Sequence, residues 1–343
     1  MCKVVIFALV GWLFTIHFAD AQCLGACCTT SPAAATALQW TVPQNKQWIV
    51  GVNLLSMQYH PLSDEELLSY ATASAPVYSV NSQKSFKGMI SYGISKRIAV
   101  TASLPYNLSV ENREGHYHLE EGAAEIHTYG NIQGIGDGIA SVNYVFLDNK
   151  DKGWKASAGA GIKIPTGKTD AYSTYAVILP IHLQPGTGSW DPLVNAAVQK
   201  QSGRWYVLSD ANVKFATTAK EHNMGTYAST RIAAGYEVVN QLSHKLLPTI
   251  RGTAGFLGDY NSAMKMMISE SHLHGADSTA VAGSWAVDPN TGFMRLFAQA
   301  SMTAFVTERL FVPFTFSLPI AQQLNGYQAS IKYTLTIGVS YIL

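Results

Sequence analysis

The chain has 343 residues; 48% are hydrophobic, only 13% are charged, and the formal net charge is +1. Soluble domains typically carry about 25% charged residues, so an ordinary soluble enzyme is disfavoured, and near-neutrality argues against a nucleic-acid partner. The length would allow two soluble domains, but no Pro/Ser-rich linker or composition shift follows residue 46.

Taken in chain order, Lys3 precedes an apolar run from Val4 to Phe18, then Ala19-Asp20-Ala21. A charged start, an apolar run and a small-x-small site predict a signal peptide over 1–21, with Gln22 as the first mature residue. The run is short for a membrane helix, and no second apolar stretch of that length occurs. Residues 22–45 read as a periplasmic tail containing Cys23, Cys27 and Cys28. In an oxidising compartment these three thiols suggest a disulfide with one spare thiol, or a soft-metal site. Leu24-Gly25-Ala26-Cys27 also resembles a lipoprotein-processing box, so lipidation of Cys27 stays open.

From residue 46 the pattern has period two, the signature of strands with one apolar and one polar face. Trp48, Val50, Val52 and Leu54 open it, and Phe86, Ile90, Tyr92 and Ile94 follow. The run Ile98 to Val110 alternates with scarcely a fault. Further strands are marked by Ala140 to Phe146, Trp154 to Ile164, and more weakly by 190–201 and 204–216. Then come Ile232 to Val238, 245–257, Met294 to Val306 and Leu310 to Ile320. The last run places Ala329, Ile331, Tyr333, Leu335, Ile337, Val339, Tyr341 and Leu343 on one apolar face. It is longer than the roughly 9–11 residues that a tilted strand needs to cross a bilayer. Connections alternate between short ones, such as Ser95-Lys96 and Gln201-Ser202-Gly203, and long ones, such as 59–83, 111–136, 165–188 and 259–292. Aromatic residues sit near strand ends, as in interfacial girdles. Short turns alternating with long loops characterise outer-membrane barrels. The expected fold is all-β: a transmembrane antiparallel β-barrel of about 12 strands over 46–343, in a Gram-negative outer membrane and surrounded by its lipid.

Three segments resemble recurrent elements of one family. They are Gly134-Ile135-Gly136-Asp137-Gly138, Gly161-Ile162-Lys163-Ile164-Pro165-Thr166-Gly167, and Gln184-Pro185-Gly186-Thr187-Gly188-Ser189-Trp190-Asp191. Together with Leu104-Pro105-Tyr106 they resemble the outer-membrane proteins of the MetA pathway of phenol degradation. The resemblance implies a barrel associated with uptake of aromatic or other small organic compounds, and it brings no catalytic residues. The end Gly338-x-x-Tyr341-x-Leu343 resembles the C-terminal signal read by the barrel-assembly machinery, with Leu where Phe is usual.

Candidate chemistry is sparse. Ile164 to Thr169 ends like a phosphate loop, but Ile162 stands where the first Gly is required and no helix follows. No Gly-x-Ser-x-Gly or His-Glu-x-x-His occurs, so no enzyme is expected, and no cofactor. Soft-metal ligands recur in two predicted outer loops. His116 and His118 stand in one; Met264, Met266, Met267, His272 and His274 stand in the other. At polar-phase, lumen-facing positions the strands carry Lys87, Lys163, Lys214, Arg231, Arg251, Arg295 and Lys332, with Asp210 as the evident acidic partner. A basic lumen would favour anionic solutes. The competing expectation is that these cations interlock with loop carboxylates such as Glu120, Glu121 and Glu125. Arg251 and Arg295, on adjacent strands, are expected to share one patch of wall. The reading is a channel for passive uptake of small organic solutes, aromatic or anionic ones among them. The alternative is a non-transporting structural or metal-binding barrel that uses the cysteine tail and the His/Met loops.

Overall fold

The computed structural model describes residues 45–71, 76–118, 121–173, 175–176, 178–238, 249–267 and 283–343. The expected signal peptide, the tail with Cys23, Cys27 and Cys28, and the loop residues His272 and His274 lie outside them.

Twelve long strands form the barrel. They are β1 (Trp48–His60), β2 (Ser82–Gly93), β3 (Ile98–His118), β4 (Gly138–Asn149), β5 (Trp154–Ile164) and β6 (Asp191–Ser202). They continue as β7 (Trp205–Lys214), β8 (Tyr227–Glu237), β9 (Thr249–Asn261), β10 (Phe293–Phe305), β11 (Leu310–Leu324) and β12 (Ser330–Ile342). Each pairs antiparallel with its neighbour in the chain, and β1 closes the ring on β12 from Ile49↔Ile342 to His60↔Ser330. Closure leaves no free edge, so the backbone of every barrel strand can be satisfied in a medium that offers no hydrogen bonds.

The alternation reads directly as inside and outside. Along β1, Ile49, Asn53, Leu55 and Met57 are buried, whereas Val52 between them is 56% exposed. Phe86, Leu104, Val142, Val207, Ile232, Phe256, Phe314 and Val339 continue the exposed apolar surface round the barrel. Aromatic pairs stand at the end that carries the short turns: Trp48 with Tyr92, ring centroids 4.4 Å apart, and Trp205 with Tyr236 at 4.8 Å. Such a band between aromatic rings is what a lipid-facing barrel surface requires.

The register is irregular at several points, at Phe146 in β4 among them, and the bulges in β12 and β11 bear on the expected faces. In β12 the pairs Gln58↔Tyr333 and Tyr59↔Ile331 skip Lys332. Residues beyond the bulge change face, because an extra residue on one strand reverses a period of two. Ala329 and Ile331, expected on the apolar outer face, are therefore buried, and Ile331 packs inside with Leu55 and Met57. Lys332, expected to line the lumen, is the exposed bulge residue and does not. In β11 the pairs Leu296↔Ala321 and Phe297↔Pro319 skip Ile320 in the same way.

The end with the long connections is elaborated. The segment expected as a loop over 111–136 is mostly strand. Beyond its six pairs with β4, β3 runs on and pairs with a strand at Ala123–Ile135, forming a hairpin arm. The strand Val77–Ser79 extends the other edge of that arm. Helix α1 (Asp64–Tyr70) starts from a capping box of Ser63 and Glu66, in which each side chain accepts from the other's backbone N–H. It packs so closely on the arm that a Cβ at Gly115 would lie 2.3 Å from the Leu67 carbonyl oxygen. A small sheet of 218–219, 222–223, 265–267 and 285–287 completes the cap.

Candidate functional site

The three sequence segments that carried the family resemblance converge at the outer rim. Lys163, the last inward residue of β5, is fully buried. Its Nζ donates to Asp137 Oδ2 at 2.7 Å, to the Ser189 carbonyl at 2.9 Å and to Ser189 Oγ at 3.1 Å, and it also bonds Thr187 Oγ1. Asp191 Oδ2 lies 3.2 Å away. Asp137 is held in turn by the backbone N–H groups of Gly167 and Thr187. The Gly167 and Gly186 backbones cross here so tightly that an added Cβ at either would lie within 2.6 Å of the other. The glycine runs thus provide close backbone approach, and the Gly136 region is a pinned junction: its N–H donates to the Pro105 carbonyl.

This knot ties the connection 165–190 against the inner wall. Residues 182–187 are buried. Leu183 and Pro185 share a small space with the inward residues Gln83, Asn107, Ser109 and Ile132. Gln184 staples the loop by accepting from the Ala171 N–H and donating to the Leu179 carbonyl. Leu179 and Leu183 then pack with Tyr78, Val80, Tyr129 and Ile132, and Tyr59 joins this cluster. Tyr59 also touches a second inner patch of Leu55, Met57, Leu257, Phe297 and Ile331. Tyr59 therefore joins two apolar clusters on the inside of the barrel.

The remaining lumen cations are largely neutralised across the strand ladders. Arg231 Nε donates to Asp210 at 2.8 Å, Arg295 makes two bonds to Asp259 at 3.0 and 2.6 Å, and Arg251 Nε reaches Glu237 at 3.1 Å. In each case the partners stand directly opposite in register, as do Lys163 and Asp191. Opposite charges at such positions stabilise a sheet, and in a low-dielectric wall neither would persist alone. The partners are strand carboxylates rather than loop carboxylates; Glu125 lies beside His118 instead. Arg251 and Arg295 share one ladder but sit at opposite ends of it, pairing with Thr303 and Asp259 respectively, so they form no common patch. Lys87 is buried on the inner face, directly opposite Asn53 in register; Lys214, at the end of β7, is half-buried.

In the cap, Met264 is fully buried against Met224, with Met266 beside them and Met267 half-buried. His116 and His118 stand on the arm with His127 close by, rings 5.0 to 5.8 Å apart. Sequence reasoning missed His127, Asp137, Asp191, Glu237 and Asp259 as site residues, because only strand register, or for Asp137 the folding of the connections at the rim, places each beside its partner. Near the mouth, burial pushes the Asp288 carboxyl up to about 6, against the bond it accepts from the Asn290 N–H and with help from the charge of Glu114. A carboxyl raised above its ordinary value of about 3.9 takes up its proton in the folded state first. Its ionised form then costs stability above about pH 6, and the cost is relieved as pH falls towards 4. Relative to Asp288→Asn, the wild type should therefore gain stability against thermal unfolding as pH falls from about 7 to about 5.

A closed twelve-strand antiparallel barrel with an apolar outer band and a loop tied inside its mouth defines the class of fold: a barrel of the outer-membrane type. Residues 79–246 match the family model described as "Putative MetA-pathway of phenol degradation", so the resemblance carried by the glycine-rich motifs is shown. Among solved structures, an outer membrane channel from Pseudomonas putida F1 is similar with a TM-score of 0.55 at 12% identity, over 88% of this chain and 97% of that one. A mutant form of the monoaromatic hydrocarbon channel TodX, a P. putida protein, gives 0.46 at 10% identity, over 94% and 96%. No curated protein matches the sequence.

Proposed function

We propose that this protein is an outer-membrane channel that admits small, weakly polar organic compounds, aromatic ones in particular, by passive diffusion. The observation that carries the reading is the character of the inner wall. Four of its cations are paired with five carboxylates, so no ring of uncompensated positive charge faces the lumen. What remains on the inner side is two apolar clusters joined by Tyr59 beside buried amides and hydroxyls such as Asn53, Gln83, Asn107 and Gln299. Apolar surface with a few placed polar groups suits a phenol-like solute better than an anion. The phenol-degradation pathway named for the matching family points the same way.

The test is uptake of labelled phenol and benzoate at low concentration by cells depleted of general porins, with and without this protein. The expected result is faster phenol entry with benzoate little changed. Faster entry of benzoate than of phenol would restore the anion reading, and no change for either would favour a non-transporting barrel.

A further inference from the structure

We propose that the tip of the hairpin arm is a metal site, in which His118, Glu125 and His127 chelate one divalent transition-metal ion of the zinc class. The arm's ladder places Glu114, His116 and His118 on one face of β3, and Ala123, Glu125 and His127 on the same face of the partner strand. Gly115 and α1 occupy the opposite face. His118 Nε2 lies 3.2 Å from His127 Nε2 and 3.5 Å from Glu125 Oε2. Ligand atoms from all three residues lie within 4.8 Å of one another.

These separations fit the ion. A tetrahedral centre with bonds of about 2.0–2.1 Å sets its ligands roughly 3.4 Å apart. Two imidazoles and one carboxylate are a donor set that zinc accepts, with a further position left for water or another ligand. Ala123 stands directly across from His118, so no bulky side chain occupies the cross-strand position. His118 and His127 are half-buried and Glu125 is exposed, which leaves the ion a path from solution. His116 stands beside the site and is oriented by Glu114, 3.5 Å from its Nδ1; the buried Glu114 is itself held by the Tyr129 hydroxyl. Such an outer partner fixes the ring of a potential fourth ligand. The other arrangement open to the pair is a simple hydrogen bond between neutral imidazoles, one donating and one accepting.

The experiment is a titration of the metal-stripped, full-length protein in detergent with Zn2+, followed by calorimetry, and with Co2+, followed by its visible absorption. Wild type should take up one ion in an intense, tetrahedral-type cobalt spectrum. His127→Ala and His118→Ala should each weaken Zn2+ binding at least tenfold and abolish that spectrum, while both retain the heat-modifiable gel mobility of a closed barrel. The pair His272→Ala/His274→Ala, and Ser in place of Cys23, Cys27 and Cys28, should leave this site intact. If wild type binds no ion, or if the His118 and His127 variants bind like wild type, the cluster is only a hydrogen-bonded histidine pair and the proposal fails.

Discussion

Lys163→Met should raise the single-channel conductance in a planar bilayer several-fold. The Lys163 ammonium is fully buried and answers two carboxylates, Asp137 and Asp191, as well as Thr187 and Ser189. Removing it leaves buried negative charge without a cation, a change that costs about 3–5 kcal/mol. The barrel ladder is cooperative and has many pairs, so the cost should fall on the weaker element, the connection 165–190. Its hold on the wall consists of this knot and the Leu179–Leu183 cluster, while the Gly167–Gly186 crossing ties its own two limbs together. Once the knot is charged and unpaired, the connection should leave the inner wall and widen the path beside Tyr59 and Gln83. Arg231→Met is the control, because it breaks an equally buried pair with Asp210 that does not touch this connection. Unchanged conductance in a Lys163→Met protein that still migrates as a folded barrel would show that the connection does not limit the path.

The second large effect concerns the barrel itself. Gly255→Val should abolish the compact, heat-modifiable band on a denaturing gel, whereas Gly252→Val should migrate as wild type before and after boiling. Gly255 faces inward on β9. A Cβ there would lie 2.1 Å from the Ile232 carbonyl oxygen and 2.5 Å from Ala233 Cα, both backbone atoms of β8. They can retreat only if the β8–β9 pairing opens, which leaves backbone groups unsatisfied in the membrane. Gly252 is on the same strand with the opposite phase, and its nearest neighbour is the Ser301 carbonyl oxygen at 4.0 Å. Equal behaviour of the two variants would mean that the close β8–β9 approach at Gly255 plays no part in closing the barrel.

The structure separates what is local in this chain from what is not. Side chains alternate along any extended strand, so the outer faces of β1, β3, β9 and β10 could be read directly, and each of the twelve strands overlaps a segment that the alternation marked, although β8 begins earlier and β9 ends later than expected. The alternation misled only where a bulge intervenes, at Lys332, because one inserted residue has no local signature and yet inverts everything beyond it. The hairpin arm was read as loop because its residues, rich in Glu, His and Gly, lack the apolar face of a lipid-exposed strand; its pairing is with itself, above the barrel. Lys163, Arg231, Arg251 and Arg295 were identifiable as inward cations from phase alone. Of their carboxylate partners only Asp210 was picked out; Asp191, Glu237 and Asp259 were not, since they stand opposite their cations only through the register of neighbouring strands.

The sequence by itself therefore determined the class of fold, the two faces of each strand and the glycine-rich segments of the family, all of which follow from the period of two and from short motifs. Only the tertiary structure decided that the lumen is charge-paired instead of basic, that connection 165–190 is tied inside the mouth by Lys163, and that His118, Glu125 and His127 meet. Each of these depends on strand register and on contacts between residues far apart in the chain, which closing the barrel fixes and which a linear pattern does not encode.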